Sequence, residues 1–184
     1  MDYGGSRPLL TSAKIVVAGG RRVGRTTFVT SIADTDVMSF AALPAEGVGV
    51  TGLFSTEFGR VTLDRDLMLY LFSPPQQRGP HHEWDDVLDG AIGGVVLLDV
   101  TRPADSIDAI AFFEECDLPY VVALNSFDGA GHEQASAVLE AMAVASRAPI
   151  VKCDPRDRGF IKRTLITLVE HAKIRRSGVE RPAV

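Results

Sequence analysis

The sequence predicts an α/β sandwich, with helices on both faces of a mostly parallel six-stranded sheet that has one antiparallel edge strand. Three observations lead to this fold class. Short apolar runs recur along the chain, segments with helical periodicity separate them, and one pair of strands is joined by a connection too short for a parallel crossover.

Five apolar runs are the predicted core strands. They are apolar at nearly every position, which suits strands that are covered on both faces. These runs are Lys14–Ala18, Leu67–Phe72, Gly94–Leu98, Pro119–Leu124 and Pro149–Val151. Four segments between or after them have the apolar spacing of helices: Arg25–Ala33, Ser106–Glu114, His132–Ala145 and Gly159–Ile174.

The sixth predicted strand is Gly52–Phe58, which the polar turn Gly59–Asp66 connects to Leu67–Phe72. So short a connection predicts a hairpin and therefore one antiparallel edge strand. The stretch Thr35–Val50 contains Gly and Pro and has no clear period, so it is predicted to be a surface loop.

The composition indicates a single ordinary globular domain, because 46% of the 184 residues are hydrophobic and 23% are charged. We expect an N-terminal extension over 1–12, the domain over 13–174 and a flexible tail over 175–184. The net charge of −5 argues against direct binding to nucleic acid. No leader segment or bilayer-length apolar run is evident, so we expect a cytoplasmic protein without membrane insertion.

The segment Gly19–Thr26 has the spacing G-x-x-x-x-G-R-T, directly after an apolar strand and directly before a helix. Glycines let a chain curl closely around phosphate groups, and the helix adds its positive N-terminal end. We predict that phosphates contact Gly19, Gly20, Val23, Gly24, Arg25, Thr26 and Thr27. The Thr26 hydroxyl is the predicted Mg²⁺ ligand. A glycine-rich turn that binds nothing is the alternative.

Arg25 departs from this phosphate-loop motif, which has Lys at that position. A planar guanidinium is wider than an ammonium group, and the two are not interchangeable in a tight cradle. We therefore expect phosphate binding to be weakened but retained.

Asn125 and Asp128 follow the fourth core strand, at the sheet edge where open α/β sheets bind ligands. A carboxylate at Asp128 can accept hydrogen bonds from N1–H and the exocyclic amine of guanine, a pair that adenine lacks. Asn125 is expected to hold this loop against the phosphate loop. Both residue types are also common in turns, so a purely structural role stays open.

Cys153 and Asp154 follow the last strand, where a backbone N–H could donate to the guanine carbonyl oxygen. Cys153 has no His partner at a recognisable spacing, so we expect it to be a small packed side chain rather than a nucleophile. It and Cys116 are expected to be free thiols.

Several segments together carry a resemblance to a known family: KIVVAGGRRVGRTT, LYLFSPPQQ, GAIGGVVLLDVTRPAD, PYVVALNSFDGA and CDPRDR. The chain resembles the small Ras-like GTPases of actinobacterial conservon operons, relatives of the polarity GTPase MglA. The resemblance implies a P-loop NTPase fold, a GTP/GDP switch with Mg²⁺, and partners of the roadblock or pentapeptide-repeat type.

The resemblance also implies that Gln77 orients the attacking water and that Thr51 is a second Mg²⁺ ligand. Members of the family usually read Thr-Pro-Gly-Gln in the second switch, where this chain reads Pro74-Pro75-Gln76-Gln77. With Arg25, this departure predicts that GTP hydrolysis is slow or depends on a partner. A scaffold that has lost the nucleotide cycle is the alternative, and an ATP-dependent kinase is disfavoured.

Overall fold

One seven-stranded sheet organises the protein in a computed structural model, which describes residues 11–42, 54–64, 67–74, 87–125 and 148–177. Its strands are β1 (Thr11–Gly19), β2 (Met38–Ala42), β3 (Phe54–Asp64), β4 (Leu67–Ser73), β5 (Ala91–Asp99), β6 (Tyr120–Asn125) and β7 (Ile150–Lys152). The described helices are α1 (Arg25–Ile32), α2 (Ile107–Glu115) and α3 (Arg158–Arg176), and a 3₁₀ turn at Pro103–Ser106 precedes α2.

The strands lie in the order β2-β3-β4-β1-β5-β6-β7. β1 pairs in parallel with β4 and β5, and the parallel pairing continues through β6 to β7. β3 is antiparallel to β4, and β2 is antiparallel to β3. The carboxyl ends of five parallel strands therefore gather at one edge of the sheet, which is where ligands bind in open α/β folds.

Alternating residues of the central strands point into two separate cores. On one face, α1 and α3 cover Ile15, Val17 and their neighbours, with Phe28, Ile161 and Leu165 fully buried. On the other face, α2 covers Val16 and Ala18 through Phe112 and Phe113. Burial on both faces explains why these strands are apolar at almost every position.

The fold class is confirmed, and two details of the predicted sheet differ. A seventh strand, Met38–Ala42, lies in the stretch that was expected to be a loop, and it pairs with β3. β3 is therefore not the edge strand. The pairing occupies backbone groups along the outer side of β3, which an edge strand would leave open.

The second difference is the extent of β3, which runs to Asp64 through most of the predicted turn Gly59–Asp66. Its last residues alternate between buried and exposed positions, as Gly59 and Val61 are buried and Arg60 and Thr62 are exposed. This period of two is typical of a half-buried strand. Gly59 allows close contact with α1, because an added Cβ would lie 2.7 Å from Val29 Cγ1.

The other predicted strands agree with the structure to within a few residues, and so do three of the four predicted helices. The fourth predicted helix, His132–Ala145, lies outside the described residues. In the described parts of the chain, no helix is both long enough and apolar enough to cross a membrane.

Candidate functional site: the phosphate loop and its neighbours

The turn after β1 requires glycine at its first position. Gly19 has φ +141°, and a Cβ at this residue would lie 2.3 Å from the Leu97 carbonyl oxygen of β5. Because that neighbour is backbone, it cannot move aside as a side chain would. Gly19 therefore lets the loop leave the sheet in close contact with β5.

The loop then turns into α1 through residues with left-handed backbone. Arg22 has φ 55° and Gly24, the N-cap of α1, has φ 99°. The Gly24 carbonyl accepts the first helical hydrogen bond from Phe28 N–H at 2.8 Å. The loop therefore continues directly into the first turn of α1. Left-handed residues before a helix are typical of backbone turns whose N–H groups bind anions.

The amino end of α1 has no side-chain cap among the residues that the structure describes, and its first turn contains no acidic residue. By contrast, α3 is capped by Asp157, whose Oδ1 accepts from Gly159 N–H at 2.7 Å and Phe160 N–H at 3.1 Å. The first N–H groups of any helix lack helical partners. At α1 the described residues provide neither a side-chain cap for these donors nor an acidic residue in the first turn to offset the positive helix end.

Gly20 anchors the loop. Its N–H donates to the Ser106 hydroxyl at 3.0 Å, and that hydroxyl donates to the Leu97 carbonyl at 2.9 Å. A Cβ on Gly20 would lie 2.5 Å from Asp105 Cβ. The Gly20 N–H therefore holds the loop against the 3₁₀ turn and does not point to a ligand in this arrangement.

Arg25 is partly buried and forms a hydrogen bond with the residue that follows β4. Its Nη1 donates to the Pro74 carbonyl at 2.6 Å. Burial lowers the pKa of its guanidinium, and the negative charge of Glu57 partly offsets that effect. Arginine nevertheless stays protonated in proteins, so a positive charge lies at the start of α1.

Thr26 is exposed, and its Oγ1 donates to Glu57 Oε1 at 2.7 Å. The other oxygen of that carboxylate, Oε2, is buried and has no hydrogen-bond partner within the described part of the chain. Thr27, the next residue, is also exposed. The sequence interpretation missed Glu57, and no local signal indicates it, because its position beside Thr26 depends on the register of β3 against β4.

Asn125 joins the phosphate loop to the end of β6. Its side chain is 1% exposed, and Nδ2 donates to the Val23 carbonyl at 2.9 Å. The Val23 side chain packs in the core, so this residue contributes its backbone to the loop. The structure therefore brings the end of β6 against the segment Gly19–Thr26, as the sequence predicts, and the side-chain hydrogen bond of Asn125 links them.

The loop after β7 completes this edge of the sheet. Cys153 is buried, its N–H donates to the Leu124 carbonyl at 2.9 Å, and burial raises the pKa of its thiol to about 11. It is a packed residue, as expected. Pro155 contacts the phosphate loop, because a Cβ on Gly24 would lie 2.9 Å from its Cγ.

Asp154 is bonded to Arg156 within the same loop. Its Oδ1 accepts from Arg156 N–H at 2.9 Å and its Oδ2 from Nη2 at 2.9 Å, and these hydrogen bonds lower the pKa of the carboxyl group. Cys153 N–H is in the sheet ladder and Pro155 has no N–H. The predicted contact of this loop with the guanine carbonyl stays a prediction from the sequence.

A second unpredicted group supports the phosphate loop from β5. Burial raises the pKa of Asp99, but hydrogen bonds from Thr101 and Arg102 outweigh that effect and lower it overall. Arg102 also donates to the Arg21 carbonyl at 3.3 Å. The strand-ending sequence Asp-Val-Thr-Arg was a signal for such a turn.

Three predicted site residues lie outside the described residues: Thr51, Gln77 and Asp128. The metal and water-orienting roles of the first two, and the base-selecting role of the third, stay predictions from the sequence.

Comparison with solved structures identifies the fold. The G domain of the T. maritima FeoB iron transporter superposes with a TM-score of 0.64 at 19% identity, covering 88% of this chain and 99% of that one. The fold is that of a G domain. No protein-family model matches the chain, and no curated protein matches it in sequence.

Two further solved structures have the same fold. A point mutant of S. thermophilus NFeoB bound to GDP has a TM-score of 0.61 and 15% identity, covering 94% of this chain and 66% of that one. The elongation factor SelB from Methanococcus maripaludis, in complex with the GTP analogue GppNHp, has a TM-score of 0.59 and 14% identity. It covers 88% of this chain, which spans 34% of SelB.

Proposed function

We propose that this chain is a guanine-nucleotide-binding regulatory switch, a small G domain that hydrolyses GTP slowly or only with a partner. The observation that carries the proposal is the amino end of α1, which is uncapped and follows a loop with left-handed backbone at Gly24. Backbone donors and a helix dipole converge there, as phosphate groups require.

The choice of guanine rests on the sequence prediction for Asp128 and is supported by the hydrogen bond from Asn125 to the Val23 carbonyl. It fixes the β6 end beside the phosphate loop, so a nucleotide whose phosphates lie on α1 would extend toward the carboxyl end of β6, and Asp128 follows Asn125 by three residues in the sequence. The GDP and GTP-analogue complexes of the structural neighbours support the same ligand class.

Mg²⁺ is the proposed companion of the nucleotide, held by Thr26. The residues present fit this cation, because an exposed hydroxyl lies beside a carboxylate whose second oxygen is buried without a partner in the described part of the chain. Hard cations such as Mg²⁺ bind to oxygen ligands of this kind. When bound, the ion would neutralise charge on the phosphates.

Slow hydrolysis follows from the second switch. The Pro74 carbonyl accepts a hydrogen bond from Arg25, and the sequence has Pro75 and Gln76 directly before Gln77. Proline restricts the backbone and glycine does not, so this sequence favours slow hydrolysis. A single-turnover assay should show little GTP cleavage by the isolated chain. By its resemblance to the MglA-type GTPases, a roadblock-type or pentapeptide-repeat protein is the proposed reader of the nucleotide state.

Thermal unfolding tests the proposal. A ligand at one hundred times its Kd stabilises the folded state by about 2.7 kcal/mol. At roughly 2–4 °C per kcal/mol for a chain of this size, saturating GDP with Mg²⁺ should raise Tm by about 5–11 °C, and ATP should not. Equal shifts with GDP and ATP would contradict the guanine preference.

A second candidate function is a scaffold without a nucleotide cycle. One observation favours it. The two side chains expected to contact the phosphates and the metal donate hydrogen bonds to other residues of the chain, Arg25 to the Pro74 carbonyl and Thr26 to Glu57. Absence of any Tm shift with GDP or GTP would support this candidate.

A further inference from the structure

Glu57 occupies an unusual position beside the phosphate loop. It lies in β3, yet its Oε1 accepts the Thr26 hydroxyl of α1 at 2.7 Å. Its Oε2 is the one buried side-chain oxygen or nitrogen in the described residues that lacks a hydrogen-bond partner. The charge of Arg25 acts on Glu57, but Arg25 Nη1 donates to the Pro74 carbonyl and Oε2 accepts no hydrogen bond. A buried carboxylate oxygen left unpaired is costly, so its position indicates that a donor or a cation in direct contact is missing.

The strands that flank β1 supply no other free carboxylate at this point. β4 ends at Ser73, which is buried and uncharged. β5 ends at Asp99, whose oxygens accept from Thr101 and Arg102. P-loop NTPases hold Mg²⁺ with the loop Ser or Thr and a strand-borne aspartate, so one of the two protein ligands is lacking from these strands.

The register of the sheet places Glu57 beside the end of β4, a strand that carries no acidic residue. Glu57 pairs directly with Ser73 across the antiparallel β3–β4 ladder. Opposite residues in such a pair share one face of the sheet, with Cβ atoms about 4.5–5.5 Å apart. A glutamate is one methylene longer than an aspartate, which gives it the reach to meet Thr26 from the neighbouring strand.

On the basis of the proposed nucleotide binding, we propose that Glu57 is the protein carboxylate that binds the nucleotide's divalent cation, together with Thr26. Mg²⁺ keeps several waters and is bound by one or two carboxylates plus phosphate oxygens, so a single glutamate suffices. Without the cation, the Glu57 carboxylate and the phosphates are like charges in one place and repel each other. Nucleotide binding therefore depends on the divalent cation through Glu57.

Measurement of GDP affinity with Mg²⁺ and with EDTA tests this role in three proteins: the wild type, Glu57→Gln, and the control Glu170→Gln. Glutamine keeps the shape of Glu57 and an oxygen that accepts from Thr26, but carries no charge. Glu170 is an exposed carboxylate on α3. We expect Mg²⁺ to tighten GDP binding at least tenfold in the wild type and control. Glu57→Gln should lose most of this stimulation and bind GDP more tightly than wild type in EDTA.

Bound Mn²⁺ gives a readout that is independent of affinity. Water-proton relaxation counts the water ligands of Mn²⁺ in the Mn²⁺–GDP complex, and Glu57→Gln should gain one relative to wild type. The double variant Glu57→Gln/Ser73→Asp places a carboxylate on β4, opposite residue 57, and should recover Mg²⁺ stimulation.

The outcomes separate this role from nucleotide binding itself. If wild type and Glu57→Gln both bind GDP with the same Mg²⁺ stimulation and the same number of Mn²⁺ waters, the metal role of Glu57 is wrong and the proposed function stands. If the folded wild type binds no GDP with or without Mg²⁺, the proposed function is overturned, and the role of Glu57 with it.

Discussion

Replacement of Asn125 by alanine is the most informative change to the framework of the site. The substitution removes the donor to the Val23 carbonyl, a 2.9 Å bond in a position where the side chain is 1% exposed. A buried polar group that loses its partner costs about 1–3 kcal/mol. For a chain of this size, that cost corresponds to a fall in Tm of roughly 2–12 °C.

Asn125→Ala should also weaken GDP binding, because the phosphate loop loses its bond to the β6 end. A tenfold rise in Kd corresponds to about 1.4 kcal/mol, which lies within the worth of this bond. Isothermal titration with GDP and Mg²⁺ measures the change. Thermal unfolding of the same sample gives the loss of stability.

Tyr120→Phe is the matched control, since Tyr120 begins the strand that Asn125 ends. Its hydroxyl donates to Glu114 Oε1 at 2.8 Å, at the opposite end of β6 from Asn125. This variant should lose about 1 kcal/mol of stability and keep its GDP affinity. If Asn125→Ala lowered Tm but left the GDP Kd at the wild-type value, the loop-to-strand bond would have no part in binding and the reasoning would be refuted.

Three further changes test separate parts of the site. Gly24→Ala should lower the free energy of unfolding by about 1–2 kcal/mol because of its left-handed φ of 99°, and by more because the added Cβ would contact Pro155. The control Gly90→Ala has φ 71° and open space around the added Cβ, so it measures the backbone contribution alone in the same unfolding experiment. Arg25→Ala should raise the GDP Kd roughly tenfold or more through loss of a charged donor, whereas Arg25→Lys should bind GDP at least as well as wild type. Equal GDP affinities of the wild type and both variants in titration would contradict a role of Arg25 in phosphate binding. Asp99 has a folded-state pKa below its ordinary 3.8, so its contribution to stability is present above that pH and is lost as the pH falls through the folded pKa. Asp99→Asn should therefore reduce the acid-induced loss of stability below about pH 4, measured by denaturant titration. An unchanged pH profile would show that the hydrogen bonds of Asp99 with Thr101 and Arg102 do not stabilise the fold.

The base-selecting residue can be tested although it lies outside the described residues. Asp128→Asn replaces a double acceptor with a group that can donate, which suits a carbonyl at position 2 of a purine. We expect this variant to lose GDP and to bind xanthosine diphosphate in a competition assay with a fluorescent GDP analogue. Retained GDP preference would place base selection elsewhere.

Much of the central sheet could be predicted from the sequence because burial on both faces makes its strands continuously apolar. Ile15 through Ala18 and Val95 through Leu98 are examples, all nearly or wholly buried. The turn between β1 and α1 could also be predicted, since close approach and positive φ require glycine at Gly19 and Gly24. Such constraints are local, so they appear in a single sequence.

The remaining features depend on pairing between distant segments. β2 has no distinctive pattern of its own, and it forms because the outer side of β3 accepts a partner strand. Glu57 looks like an ordinary polar residue in a strand until the register places it opposite Ser73 and its carboxylate beside Thr26. Ser106 likewise gains its role only when α2 and its 3₁₀ turn pack beside Gly20.

The central claim is that a guanine nucleotide binds at the uncapped start of α1, beside the end of β6 that the Asn125 hydrogen bond holds in place. Isothermal titration of the purified wild type with GDP, GTP and ATP in the presence of Mg²⁺ tests it most directly. We predict saturable binding of GDP and GTP with one site per chain and binding of ATP at least a hundredfold weaker. Absence of heat for GDP and GTP at millimolar nucleotide, from protein shown to be folded, would contradict the account.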